Sequence, residues 1–126
     1  MILIFGGAYQ GKLAYAMERF NAAEGDVYRC GGDDVNIPGG KKIICNLENW
    51  ILSLVKAGAD AEDAVRQFID ANEDAVVICN DISSGVVPAD PELRKWREAV
   101  GRSLAMLSQK SEEVIRLFCA IPSRIK

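Results

Sequence analysis

The chain has 126 residues, 49% of them hydrophobic and 26% charged, with a net charge of −3 at neutral pH. That is the size and make-up of a single globular domain, 1–126, large enough to bury a core. The acidic balance argues against nucleic acid as the main partner, because a phosphate-backbone footprint needs a basic face, and the apolar runs are too short to span a membrane.

Met1 to Phe5 is a continuous apolar run ending in Gly-Gly, which predicts a central parallel strand rather than a leader peptide. Leu13, Met17 and Phe20 follow at helical spacing. Asp26 to Cys30 reads as a short strand, and Cys30 to Lys42 as a Gly-rich, partly acidic loop. That loop suits a surface connection better than a ligand lid. Lys41 to Cys45 is a second apolar strand. Asn46 is placed to cap a helix carrying Leu47, Ile51, Leu54 and Val55, which Gly58 ends. Asp60 caps a further helix with Ala61, Ala64, Val65 and Phe68 along one stripe. Ala75 to Asn80 is a third buried strand. Asp90-Pro91 opens a long helix with Leu93, Trp96, Val100, Leu104 and Leu107 on its apolar side. Val114 to Ala120 reads as the last strand, and IPSRIK as a solvated basic tail. Strand and helix alternate and the strands are uniformly apolar, which predicts an α/β domain with a mainly parallel sheet.

The stretch Phe5 to Leu13, FGGAYQGKL, matches G-x-x-x-x-G-K-[ST] except at its last letter. A phosphate loop uses glycines so that backbone N–H groups can close around phosphate oxygens, with a Lys reaching the outer phosphates. The match lies between the first strand and the first helix, where that mechanism places it. Gly6, Gly7, Ala8, Tyr9, Gln10, Gly11, Lys12 and Leu13 are therefore the candidate nucleotide-binding residues, with Lys12 expected to point to solvent. The bland alternative is a plain strand–helix turn. Leu13 stands where a hydroxyl would hold Mg²⁺, and Cys45 and Asn46 stand where a second-strand acid would support it. Glu48 reads as a solvated helix residue. Asp81, just past the third strand, is the remaining candidate for a catalytic or metal contact, although an Asp there can equally organise its own turn.

The cysteines, Cys30, Cys45, Cys79 and Cys119, form no C-x-x-C pair, and the chain contains no His to complete a zinc set. All four read as reduced thiols in a cytoplasmic protein, and Cys45, Cys79 and Cys119, near the ends of apolar strands, as small buried hydrophobes rather than functional thiols. Trp50 and Trp96 are expected to pack in the core or at an interface.

Residues 2–20, ILIFGGAYQGKLAYAMERF, resemble the opening of the bifunctional adenosylcobinamide kinase / adenosylcobinamide-phosphate guanylyltransferases, which reads like ILVTGGARSGKSRFAE. Residues 76–126 are similar to the same family's C-terminal half, with Asn80, Asp81, Gly85, Val87, Pro88, Arg94, Gly101, Pro122 and Lys126 on its pattern. Residues 43–52, IICNLENWIL, are a weaker echo of the family's LVDCLTLWL. The resemblance implies a phosphate-loop, RecA-like three-layer α/β domain and a role in cobalamin biosynthesis. It also implies GTP or ATP as nucleotide, a corrinoid as second ligand and a homo-oligomer, described in the family as a trimer. The departures matter as much. Leu13 replaces Ser/Thr, Cys45 the second-strand Asp, and the shorter Asp81 a Glu. The family's His-bearing segment is replaced by Gly25 to Lys42. These changes argue against guanylyl transfer, weaken the kinase reading and leave Mg²⁺ poorly supported. The rival expectation is a non-catalytic binding or interaction subunit.

Overall fold

The computed structural model describes residues 1–31, 33–82 and 87–126. Its elements in chain order are β1 (Ile2–Gly6), α1 (Lys12–Arg19), β2 (Val27–Arg29), β3 (Ile43–Cys45), α2 (Leu47–Lys56), α3 (Ala61–Ala71), β4 (Val76–Asn80), α4 (Pro91–Lys110), β5 (Glu113–Phe118) and β6 (Ile121–Arg124). A single 3₁₀ turn, Glu24–Asp26, precedes β2. The strands form one sheet in the order β2-β3-β4-β1-β5-β6. All neighbours are parallel except β5 and β6.

The sheet explains the apolar runs. Leu3 and Ile4 of β1 are fully buried on opposite faces of the sheet, and the first four residues of β4 are buried in succession. A strand covered on both sides has no reason to alternate. One face carries Leu3, Ile44, Val77 and Val114 against α2, α3 and α4, with Trp50 tilted on Phe68 at 5.3 Å between ring centroids. The other carries Ile4, Ile43, Ile78 and Leu117 against Ala16 and the half-buried Leu13 and Met17 of α1 and Phe20 just after it. The domain is thus the three-layer α/β arrangement of the phosphate-loop class.

Local signals set most of the boundaries. The Asp60 carboxylate accepts from the Asp63 amide at 3.1 Å, and the Asp90 carboxylate from the Glu92 amide at 2.8 Å, with Pro91 at the first helical position. After α2 the Gly58 amide donates to Val55 O at 3.1 Å and the Ala59 amide to Leu54 O at 3.0 Å, with Gly58 at φ +70°. This is a Schellman ending, which needs a left-handed residue at Gly58.

Four expectations are corrected. The last strand stops at Phe118, and Cys119 and Ala120 form a tight turn, both at positive φ (50° and 62°). The supposed basic tail is β6, an exposed edge strand, where Pro122 is tolerated because an edge leaves its nitrogen without a ladder to join. Lys126 is engaged: its Nζ donates to Ser108 O at 3.1 Å and Gln109 O at 3.0 Å, a cation on the last carbonyls of α4. Asn46 occupies the position before α2, but in the left-handed conformation (φ 58°) and with no side-chain cap. Leu93, assigned to the apolar stripe of α4, is exposed, while Val100 and Leu107 are fully buried.

Candidate functional site

The C-terminal ends of β1, β2, β3 and β4 open on one cleft of about 500 Å³, lined on one side by Ala8 to Ala14 and on the other by Arg29, Cys45, Asn46, Glu48, Asn49, Ile78 and Asn80. Open parallel sheets bind ligands at this end, where strands give way to helices whose amide ends face outward.

The loop between β1 and α1 is held by glycine geometry and by the neighbouring hairpin. Gly6 has φ +154°, and a Cβ there would lie 2.4 Å from Leu117 O, so no side chain fits. Gly11 has φ +84°, and Tyr9, fully exposed at the tip, also has positive φ (59°). The Cys119 amide donates to Gln10 Oε1, and the Ala120 amide to Gln10 O at 3.1 Å. The β5–β6 turn therefore grips the loop from behind. The Asp81 amide donates to Gly6 O at 2.8 Å and ties the exit of β4 to the loop start.

Lys12 opens α1 and is buried, 6% exposed, rather than pointing to solvent. Its Nζ donates to Gly7 O at 2.5 Å, across the loop. Burial lowers its pKa from the ordinary 10.5, and nearby Glu48 opposes that shift. The ammonium is thus held against the loop, next to the amides a phosphate would meet. Leu13 lines the cleft and packs on the α1 side of the core, so it serves both surfaces.

Glu48 is the residue that sequence reasoning missed. It stands in the first turn of α2 and is 4% exposed, not solvated. Its Oε1 accepts from the Asn80 amide at 3.0 Å and its Oε2 from Asn80 Nδ2 at 3.2 Å. Trp96 Nε1 donates to its carbonyl at 2.7 Å and clamps α4 to the start of α2. Burial raises the Glu48 carboxyl above its ordinary 4.5, while the Asn80 hydrogen bond and Lys12 pull it back. An acid in the first helical turn is expected for dipole reasons alone, which hid this one. Its place directly after a parallel strand was the available signal.

Asp81 follows Asn80, and it is Asn80 that forms the cleft wall. Cys45 lines the cleft as a buried thiol whose pKa burial raises. Cys30 and Cys79 are likewise buried, but Cys119, expected to be a buried hydrophobe at a strand end, is exposed because the strand stops at Phe118 and Cys119 lies in the β5–β6 turn. The Gly-rich loop after Cys30 lies against α2: Trp50 Nε1 donates to Val35 O at 2.9 Å, Ser53 Oγ to Asp34 O at 3.0 Å and Asn49 Nδ2 to Cys30 O at 3.3 Å. Gly85, one of the matched positions, lies outside the described residues.

The family model for cobinamide kinase / cobinamide phosphate guanyltransferase matches residues 42–125. The chain belongs to that family. The match makes this protein a member of a kinase/guanylyltransferase family related to cobalamin biosynthesis. It spans β3 to β6 and starts after the loop at Gly6 to Lys12, so the loop rests on its own sequence and geometry. No curated protein matches the sequence. None of the described helices is long and apolar enough to cross a membrane.

Proposed function

We propose that this protein binds the phosphates of a nucleotide, GTP or ATP, at Gly6 to Lys12, within cobalamin biosynthesis, and turns it over slowly or not at all. The observation that carries the reading is the buried Lys12, held against Gly7 O at 2.5 Å in a glycine loop at the mouth of the parallel sheet. Loop amides and a charge-assisted Lys contact are sufficient to hold a phosphate. The cleft, about 500 Å³, is of a size suited to a nucleotide-sized ligand. A corrinoid as second ligand, a homo-oligomer and a cytoplasmic location belong to the same proposal through the family.

The donor set of the cleft does not suit Mg²⁺, which asks for near-octahedral oxygen ligands. Leu13 offers hydrocarbon and Cys45 a buried thiol with a raised pKa. Each Glu48 oxygen already accepts from Asn80. Among the described residues, His, Cys, Asp and Glu form no group of three or more suited to a metal ion. Asp81 is the further acid by which a cation could be met, one residue beyond the cleft wall. Guanylyl transfer through a histidine, which the family resemblance implies, has no nucleophile here because the chain contains no His. These points favour binding without turnover over a working kinase.

Calorimetric titration of GTP and ATP, each with and without Mg²⁺, tests the reading. Binding of similar strength in both conditions is expected. Absence of binding to either nucleotide overturns it, and rapid Mg²⁺-dependent phosphate release returns the protein to the kinases.

A further inference from the structure

The cleft carries a feature that phosphate binding alone does not explain. Its lining has one carboxylate, Glu48, on the wall opposite the phosphate loop. Carboxylates repel phosphates. Like charges in a cleft are screened less than in open water, so a fixed carboxylate on this wall weakens the binding of an anion. An empty wall, or an amide like those of Asn46 and Asn49 beside it, would serve a bare anion better.

The carboxylate is also fixed. Both oxygens are anchored by Asn80, one by its backbone amide and one by its side chain, and Trp96 holds the backbone below. A carboxylate is acceptor-only with about four lone-pair sites; Asn80 takes two and the Glu48 backbone amide a third, so about one remains. An anchored carboxylate on a cleft wall is the kind of group that takes a ligand's donor, as an acidic residue takes a ribose hydroxyl in dinucleotide sites.

We propose that Glu48 is the specificity-determining residue of the cleft: it turns away a bare multiply charged anion and admits a phosphate compound whose own hydroxyl or N–H group donates to it. This rests on the phosphate-site reading of Gly6 to Lys12. The groups that face Glu48 are Lys12 from α1, Cys79 and Asn80 from β4, Cys45 from β3, Cys30 at the end of β2 and, from α4, the neutral Trp96. Asp81 reaches the same network through Cys79. The thiols of Cys30, Cys45 and Cys79 are all raised by burial, Cys30 to about 12, so they stay neutral at physiological pH.

The test compares sulfate, which has no donor and keeps its two charges from pH 5 to 8, with ADP, which has ribose hydroxyls and an amine. Wild type should prefer ADP. In Glu48→Gln sulfate affinity should rise about tenfold while ADP affinity stays level or falls, so that the preference shrinks by about tenfold or more. The unmodified protein gives a second reading that needs no variant. Its sulfate affinity should rise as pH falls toward and through the Glu48 pKa, in a window above 4.5 because burial raises that group. An unchanged preference in Glu48→Gln, or a flat sulfate profile in wild type, overturns the proposal. If neither probe binds wild type, the phosphate site and this inference fall together. If both bind and the preference does not move, only the inference falls.

Discussion

Gly6→Ala separates a glycine required by geometry from one that merely sits in a motif. The Gly6 backbone has φ +154°, and an added Cβ would meet Leu117 O at 2.4 Å. That oxygen is backbone in β5, so it can move only if the β1–β5 ladder or the loop moves. Forcing a side chain into a glycine conformation costs about 1–3 kcal/mol, and the overpacking about 1–3 kcal/mol more. The variant should therefore lose about 2–6 kcal/mol, a large share of a stability that is typically about 5–15 kcal/mol. Gly7 is the control. A Cβ there meets only the Gln10 side chain at 3.8 Å, an ordinary contact. Gly7→Ala should stay within about 1 kcal/mol of wild type. Urea unfolding followed by circular dichroism reads both. With an m-value of about 1–3 kcal/mol/M, Gly6→Ala should lower the midpoint by roughly 1 M or more. Equal midpoints for Gly6→Ala and wild type, or equal damage from the two variants, would refute the close-approach argument.

Other outcomes follow from the same geometry. Ala120→Gly should stabilise by about 0.5–1 kcal/mol in the same assay, because relief of the left-handed strain outweighs the entropy of a new glycine; a loss of stability would contradict the turn as described. Incubation with labelled GTP and Mg²⁺, followed by denaturation, should leave no acid-labile label, since the chain has no His; stoichiometric label of that kind would contradict it. Leu13→Ser should increase the Mg²⁺ dependence of nucleotide binding about severalfold, and Leu13→Ser with Cys45→Asp further, because each adds an oxygen ligand. An unchanged dependence in the double variant would mean that these positions do not face the cation.

The fold was legible wherever one residue type had one physical use. Apolar runs named β1 and β4, Asp60 and Asp90-Pro91 named helix starts, and Gly58 named an end, because each does locally what its type does best. The β5–β6 hairpin was not legible. Its turn places Cys119 and Ala120 at positive φ without the Asn or Gly that would announce it, so strand and tail merged in the reading. At the site, the spacing of Gly6, Gly11 and Lys12 singled out the turn between β1 and α1, which lines the cleft. Glu48 was misread because its burial depends on Asn80 and Trp96, 32 and 48 residues away in sequence. Lys12 was misread for a similar reason: a lysine looks solvent-bound until the loop that shelters it is folded.

The most direct test of the central claim is nucleotide affinity in wild type and Lys12→Ala, measured by titration without Mg²⁺. Removing a charge-assisted contact worth about 1.5–3 kcal/mol should weaken binding about ten- to a hundredfold. The unfolding midpoint of the variant, measured alongside, should show that it is still folded despite losing the buried Lys12–Gly7 bond. Folded Lys12→Ala that binds GTP and ATP as tightly as wild type would contradict the account and leave the loop a plain turn between β1 and α1.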